Sequence, residues 1–252
     1  SNGTGNTLRK TTDGGNSWTR YTYNNFSNGR VLGMYFVNST TGYLCGTNDA
    51  KLYKTTDAGL TWINKSTSPS FPVDNIKAVF AIDTGNIYLA SLDFAQTVYH
   101  YTTAGGWTTM NLPGSFTVIT DIIFKDANTG YVCGNPNYAA YTTNAGASWN
   151  VSTVVSSEGM NDLDYVNGTL YMAGAYQFYY KSTNNGVNWT SVYFRDLSNP
   201  NQPPLNSPAN IWGMSVNGND ISLVGQDGIV NISNDGGSSW RNKNYSVGNN
   251  YG

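Results

Sequence analysis

Six of the seven tryptophans recur at positions 18, 62, 107, 149, 189 and 240, in steps of 44, 45, 42, 40 and 51 residues. Five of them close the same eight-residue box: TTDGGNSW (11–18), TTDAGLTW (55–62), TTNAGASW (142–149), STNNGVNW (182–189) and SNDGGSSW (233–240). A shortened form, TTAGGW, ends at Trp107. A period of this length, filled with strand signals, marks the blades of a β-propeller. One such unit cannot bury its own apolar face, so the units must stack on one another.

Each unit reads as four strands. Strand A is a short alternating run, as in VLGMYFV (31–37), IKAVFAI (76–82), TDIIFK (120–125), DLDYV (162–166) and WGMSV (212–216). A turn rich in Asn, Thr, Asp and Gly follows. Strand B is apolar with small residues: GYLCG (42–46), IYLAS (87–91), GYVCG (130–134), LYMAG (170–174) and ISLVG (221–225). Strand C runs into the box, and strand D leaves from its tryptophan. The fold class expected is all-β, a propeller of four-stranded antiparallel blades.

The box has a structural cause. A Ser or Thr, an Asp or Asn two residues on, and a Gly two further on make a turn knitted by side-chain oxygens on backbone N–H groups. Glycine supplies the positive φ, and the tryptophan packs across the hairpin. Asp13, Asp57 and Asp235 are therefore expected as turn residues, with Asn144 and Asn184 doing the same work. Ala104 lacks the oxygen, so the third box is expected to be the loosest.

One propeller domain is expected over 1–252, with a half blade at 1–23 and full blades at 30–66, 75–112, 118–153, 160–193 and 211–244. A propeller closes its ring or leaves raw sheet edges, which favours six blades, with seven as the alternative and the closing blade incomplete. A longer chain or a partner strand would complete it. The insertion DLSNPNQPPLNSPAN (196–210) accounts for the 51-residue step, and its prolines suit an extended loop outside the sheet.

Only 11% of residues are charged and the net charge is −2. Neither the basic field of a nucleic-acid binder nor a polybasic membrane-binding stretch is present, and no apolar run reaches the ~18 residues of a membrane-spanning helix. No nucleic-acid partner and no membrane insertion are expected. Abundant strand and turn formers suit an extracellular or cell-surface protein, with the periplasm as the alternative. No charged-then-apolar leader opens the sequence, so a signal peptide is expected to lie outside it. Cys45 and Cys133 occupy matching slots of non-adjacent units, too far apart for a disulfide; two free thiols are expected.

The boxes match the pattern Ser/Thr-x-Asp-x-Gly-x-Thr/Ser-Trp in full at Thr11–Trp18, Thr55–Trp62 and Ser233–Trp240. On these residues the chain resembles the Asp-box, or BNR-repeat, propellers. It is most similar to the photosystem II assembly-factor type and related secreted bacterial propellers. Sialidases, sortilin-type receptors and xyloglucanases share the box more distantly. The resemblance implies the propeller fold and leaves activity to the loops.

Sialidase chemistry, as the resemblance defines it, needs an arginine triad, a Tyr–Glu pair and an Asp acid. The chain has five arginines, three of them beside boxes, and Glu158 as its single glutamate. A two-carboxylate glycosidase needs acid and base ~5–9.5 Å apart. The catalytic candidates on B–C loops are Asp49, Asp93 and Asp227, of which Asp49 and Asp227 also read as turn formers. His100, the one histidine, falls on strand C, no Cys/His cluster has zinc spacing, and no phosphate loop precedes a helix. No cofactor and no metal are expected.

Binding has broader support. Phe94, Tyr138, Tyr176 and Phe178 fall on or beside B–C loops. Trp212, the tryptophan outside any box, and Arg195 flank the proline-rich insertion. Aromatics among Asn and Asp suit peptide or sugar recognition. The leading expectation is a non-catalytic secreted or cell-surface interaction module that holds a protein partner or a glycan on its loop face. The alternatives are a glycosidase-like hydrolase using paired loop aspartates and an assembly or scaffold factor.

Overall fold

Alternating apolar and polar residues between the boxes make strands with two distinct faces, and each box folds one strand back on the last. The computed structural model describes residues 6–14, 16–23, 29–48, 51–67, 71–72, 74–93, 96–115, 117–154, 159–174, 178–193, 210–226 and 229–242. The chain forms two compact units, Ser1–Asn111 and Leu112–Gly252.

The first unit starts with a two-stranded sheet, β1 (Asn6–Lys10) with β2 (Thr19–Tyr23). Two four-stranded antiparallel sheets follow. One is β3 (Val31–Phe36), β4 (Gly42–Gly46), β5 (Leu52–Thr55) and β6 (Ile63–Asn64); the other is β7 (Ile76–Asp83), β8 (Asn86–Ser91), β9 (Thr97–Thr102) and β10 (Gly106–Asn111). The second unit contains β11 (Val118–Phe124), β12 (Gly130–Asn135), β13 (Tyr138–Thr142) and β14 (Asn150–Val151) as one sheet. The next comprises β16 (Met160–Val166), β17 (Thr169–Gly174), β18 (Phe178–Ser182) and β19 (Asn188–Tyr193); the last comprises β20 (Ile211–Asn217), β21 (Asp220–Gly225), β22 (Val230–Ser233) and β23 (Arg241–Asn242).

Each four-stranded sheet is a propeller blade with strands A to D adjacent in order. The described residues hold five such blades and the β1–β2 hairpin, rather than six or seven blades. Among the described residues, the first box is flanked by β1 and β2, which pair with each other as a two-stranded sheet. One strand is unannounced by the repeat: β15 (Thr153–Val154) runs on from β14 and pairs parallel with β19 of the following blade, Thr153 opposite Asn188 and Val154 opposite Trp189.

The cores lie between successive blades. Strand B of the first four blades (β4, β8, β12 and β17) is buried along most of its length because both its faces are covered. On β4, Leu44 packs with Tyr53 and Trp62 on one face. Tyr43 and Cys45 pack with Ile76, Val79 and Leu89 of the next blade on the other. The second unit repeats this, with Tyr131 and Cys133 against Met160 and Leu163, then Tyr171 and Ala173 against Ile211 and Leu223. Each fully buried aliphatic side chain contributes ~1.5–3 kcal/mol. Cys45 and Cys133 are buried free thiols, and burial pushes the Cys133 thiol well up.

The boxes are turns, as their chemistry predicts. Thr55 Oγ1 donates to Asp57 Oδ1 at 2.7 Å and accepts the Gly59 N–H at 2.9 Å. Asp57 also accepts the Thr61 N–H at 2.8 Å and its hydroxyl at 2.6 Å. Asn144 substitutes in its own box, accepting the Ser148 N–H at 2.9 Å, and Asn184 accepts the Asn188 N–H at 3.1 Å. In the second, fourth, fifth and sixth boxes the fourth and fifth residues both take positive φ, as in Ala58 (59°) and Gly59 (86°).

The tryptophans of the second, fourth, fifth and sixth boxes are buried, and Trp62 meets Phe36 edge-on at 6.1 Å. Trp18 in the first box stays 55% exposed. The shortened box is a tighter hairpin rather than a loose one: Gly105 N–H reaches Thr102 Oγ1 at 3.0 Å, and Trp107 packs on Phe71 at 5.4 Å.

Candidate functional site

Strand A of every blade carries a β-bulge near its start. The register shifts between Val31 and Gly33, Ile76 and Ala78, Ile119 and Asp121, Met160 and Asp162, and Ile211 and Gly213. A bulge re-aims a side chain. In the second unit that side chain reaches the following blade. Thr120 Oγ1 donates to the Met160 carbonyl at 2.6 Å, and Asn161 Nδ2 to the Ile211 carbonyl at 2.7 Å.

The carboxylates just beyond the bulge complete the link. Asp121 Oδ2 accepts the Leu163 N–H at 2.9 Å. Asp162 Oδ2 accepts the Met214 N–H at 2.6 Å, and Asp164 Oδ2 accepts that of Val216 at 2.7 Å. The series ends at β20. Its bulge residue is Trp212, 61% exposed, and the next residue is Gly213, which has no side chain to extend. On the paired strand β21, Val224 is 46% exposed. The polar linkage thus gives way to an apolar patch open to solvent.

The electrostatics follow from burial. Burial, and then the negative neighbour Asp162, raise the Asp121 carboxyl well above the usual carboxylate range. Protonated, it donates to Asp162. Burial also raises Asp162 and Asp164, against the N–H groups that favour their charged forms. These groups are buried links between blades, with their oxygens turned to backbone N–H groups.

Of the residues singled out from the sequence, Asp49, Phe94, Tyr176, Arg195 and Asp227 lie outside the described residues. Asp93 is exposed at the end of strand B. Its two oxygens accept the Asn75 N–H at 2.8 Å and the Asn75 side-chain amide at 3.1 Å. Asn75 Oδ1 in turn accepts the Asn48 N–H at 2.7 Å, so this chain of bonds ties two blades at their ends. Tyr138 is 4% exposed and gives its hydroxyl to the Pro113 carbonyl at 2.6 Å. Phe178 is half-buried against the core between blades. Trp212 is the described aromatic of the group that is open to solvent.

Asp74 is buried and accepts the hydroxyls of Ser91 and Tyr99. His100 stacks on Tyr88 with ring centroids 4.1 Å apart, sets Nε2 against Asn86 Oδ1 at 2.6 Å, and has its pKa lowered by burial. Sequence reasoning passed over Asp121, Asp162 and Asp164. The available signal was an aspartate repeated in one slot of an otherwise apolar inner strand, DII at 121–123 and DLD at 162–164.

The chain's relatives share these blades. The photosystem II assembly lipoprotein Ycf48 of Synechococcus sp. (strain CC9902) is 27% identical over 124 residues, which is 48% of this chain and 35% of that protein. The solved structure of YCF48 bound to D1 peptide superposes with a TM-score of 0.67 at 17% identity, covering 95% of this chain and 75% of that one. The Niastella koreensis GH74 enzyme superposes with a TM-score of 0.59 at 18% identity, covering 87% of this chain and 38% of the enzyme. At such identities the two superpositions establish the fold alone. The sequence profile described as photosynthesis system II assembly factor YCF48 matches residues 99–243. With more than half its length under that profile, the chain belongs to the YCF48 family of photosynthesis system II assembly factors.

Proposed function

We propose that this chain is an assembly or scaffold factor that holds a peptide segment of a protein partner on the surface around Trp212. One observation carries the choice of surface. Where the inner strands β11 and β16 spend polar side chains on the blade that follows, β20 presents an exposed tryptophan and a glycine. A flat aromatic at the end of a rigid strand is a low-entropy anchor for a partner. Family membership supports the assembly role. A peptide rather than a glycan is favoured because the solved relative that names a bound molecule names a peptide.

By their places in the repeat, Tyr176, Phe178 and Arg195 of the second unit are assigned to the same recognition surface. Tyr138 is left out because it is buried and its hydroxyl is already bonded. The Synechococcus relative is a lipoprotein by name. We therefore place this chain on the periplasmic or lumenal side of a membrane rather than free outside the cell.

The test is a photo-crosslinking amino acid at position 212 in the native host. Linkage confined to one segment of one membrane-complex subunit is expected. Linkage scattered over abundant proteins, or none at all, would refute the proposal.

A further inference from the structure

The repeat is broken at one place, and a cleft opens there. At two boxes the lysine just before the box reaches the box that follows in the chain. Lys10 Nζ donates to the Ala58 carbonyl at 2.9 Å, and Lys181 Nζ to the Gly236 carbonyl at 2.9 Å. Ala58 and Gly236 are the fourth residues of their boxes, and each has positive φ. Lys54 holds the same slot before the second box, but the box that follows it is the shortened TTAGGW.

Lys54 keeps the contact with its cross-strand tyrosine. Its Nζ lies 5.7 Å over the Tyr43 ring, as Lys181 lies 5.4 Å over Tyr171. Among the described residues its ammonium donates to no box carbonyl. In place of the missing turn lies a cleft of about 230 Å³ between the β3–β6 and β7–β10 blades. Tyr43, Tyr101 and Trp107 line it with Leu52 and Ile87, and Lys65 adds a second ammonium. The charge of Asp83 is felt at Tyr43, but its Oδ1 is taken by the Gly85 N–H at 2.7 Å.

We propose that this cleft binds a carboxylate attached to an apolar or aromatic body, with Lys54 and Lys65 on the carboxylate and the rings against the body. The chemistry fits part by part. An ammonium that has lost its backbone acceptor is a ready partner for an anion. Aromatic walls and an aliphatic lining suit a planar or branched group. The volume is below the ~300 Å³ at which drug-sized pockets begin, so it takes a fragment or a single residue. The site lies in the first unit and does not depend on the Trp212 reading.

Two sources carry this chemistry: a free small acid and the terminal carboxylate of a peptide. Phenylacetate and acetyl-Gly-Phe, each beside its amide, are titrated into the whole chain and followed by the Trp107 indole N–H signal in ¹H–¹⁵N spectra. At least one acid should saturate with Kd near ~1 mM, within the range open to a ligand of this size. Its amide should bind at least about tenfold more weakly. Preference for acetyl-Gly-Phe assigns a peptide terminus, and preference for phenylacetate a small acid. Lys54→Met, which keeps the aliphatic stem, should weaken binding at least about tenfold, whereas Lys54→Arg stays within about threefold. Lys65→Gln, on the exposed rim, provides a second variant that leaves the core untouched and should weaken binding about threefold. Equal binding of acid and amide, unchanged binding by Lys54→Met, or no response at Trp107 overturns the assignment.

Discussion

Asp162 Oδ2 accepts the backbone N–H of Met214 at 2.6 Å, joining the inner strands β16 and β20 of neighbouring blades. The same aspartate accepts a hydrogen bond from protonated Asp121, which lies on β11 in the blade before it. One side chain therefore spans three blades. An orphaned backbone N–H at such a site costs ~1–3 kcal/mol, so the carboxylate is part of how the second unit holds its strands together.

This geometry makes the stability of the second unit depend on pH. Asp121, Asp162 and Asp164 all have raised folded pKa values, chiefly through burial. The folded chain keeps protons that the unfolded chain releases. Their contribution is full below the unfolded carboxylate value of ~3.9 and is lost as pH rises through the raised folded values. The melting temperature of wild type should fall relative to Asp121→Asn as pH goes from 5 to 9, because the amide donates to Asp162 without needing a proton. Parallel melting curves for the two chains across that range would show that Asp121 titrates no differently when folded.

The box aspartates behave in the opposite sense. Hydroxyl and N–H donors hold Asp57 and Asp235 down to about 2, and hold Asp13 low as well. Their stabilisation is present above the unfolded value of ~3.9 and is lost as pH falls through the folded values. Asn144 and Asn184 make the corresponding turn without a charge. The triple variant Asp13→Asn, Asp57→Asn, Asp235→Asn should therefore fold, and circular dichroism between pH 4 and 2 should show a shallower acid loss than in wild type.

Equivalent tryptophans should differ in cost. Trp62 is buried against Phe36, and Trp62→Ala should lose ~3–5 kcal/mol in urea unfolding. Trp18 is 55% exposed at the corresponding place in its box. Trp18→Ala should lose no more than ~0.5 kcal/mol. Similar losses at both sites would mean that the first box packs as the second does.

Ala58 sits at φ 59°, a slot filled by Gly14 and Gly236 in two other boxes. A left-handed residue with a Cβ costs ~1–2 kcal/mol, partly offset by the greater unfolded-state freedom of glycine. Ala58→Gly should raise the urea midpoint by an amount equivalent to ~0.5–1 kcal/mol, with an unchanged slope. A lower midpoint would show that the turn carries no strain at that residue.

The sequence alone determined what is local. Thr55, Asp57, Gly59 and Trp62 lie within eight residues of one another, and side-chain oxygens on nearby N–H groups need no distant partner to make a turn. Strand order followed, because each box reverses the chain at a regular interval. The tertiary structure alone decided what each exceptional residue does. Asp121 and Asp162 are 41 positions apart, and their protonation depends on burial that arises only when blades pack. Tyr138 and Trp212 are both aromatic, yet one is enclosed and bonded to Pro113 while the other faces solvent. Lys54 looks like Lys10 and Lys181 in sequence, and only the shorter hairpin at Trp107 on the adjoining blade separates its surroundings from theirs. Desolvation and blade-to-blade contact join residues one repeat apart, whereas the box pattern records only what neighbouring residues do to one another.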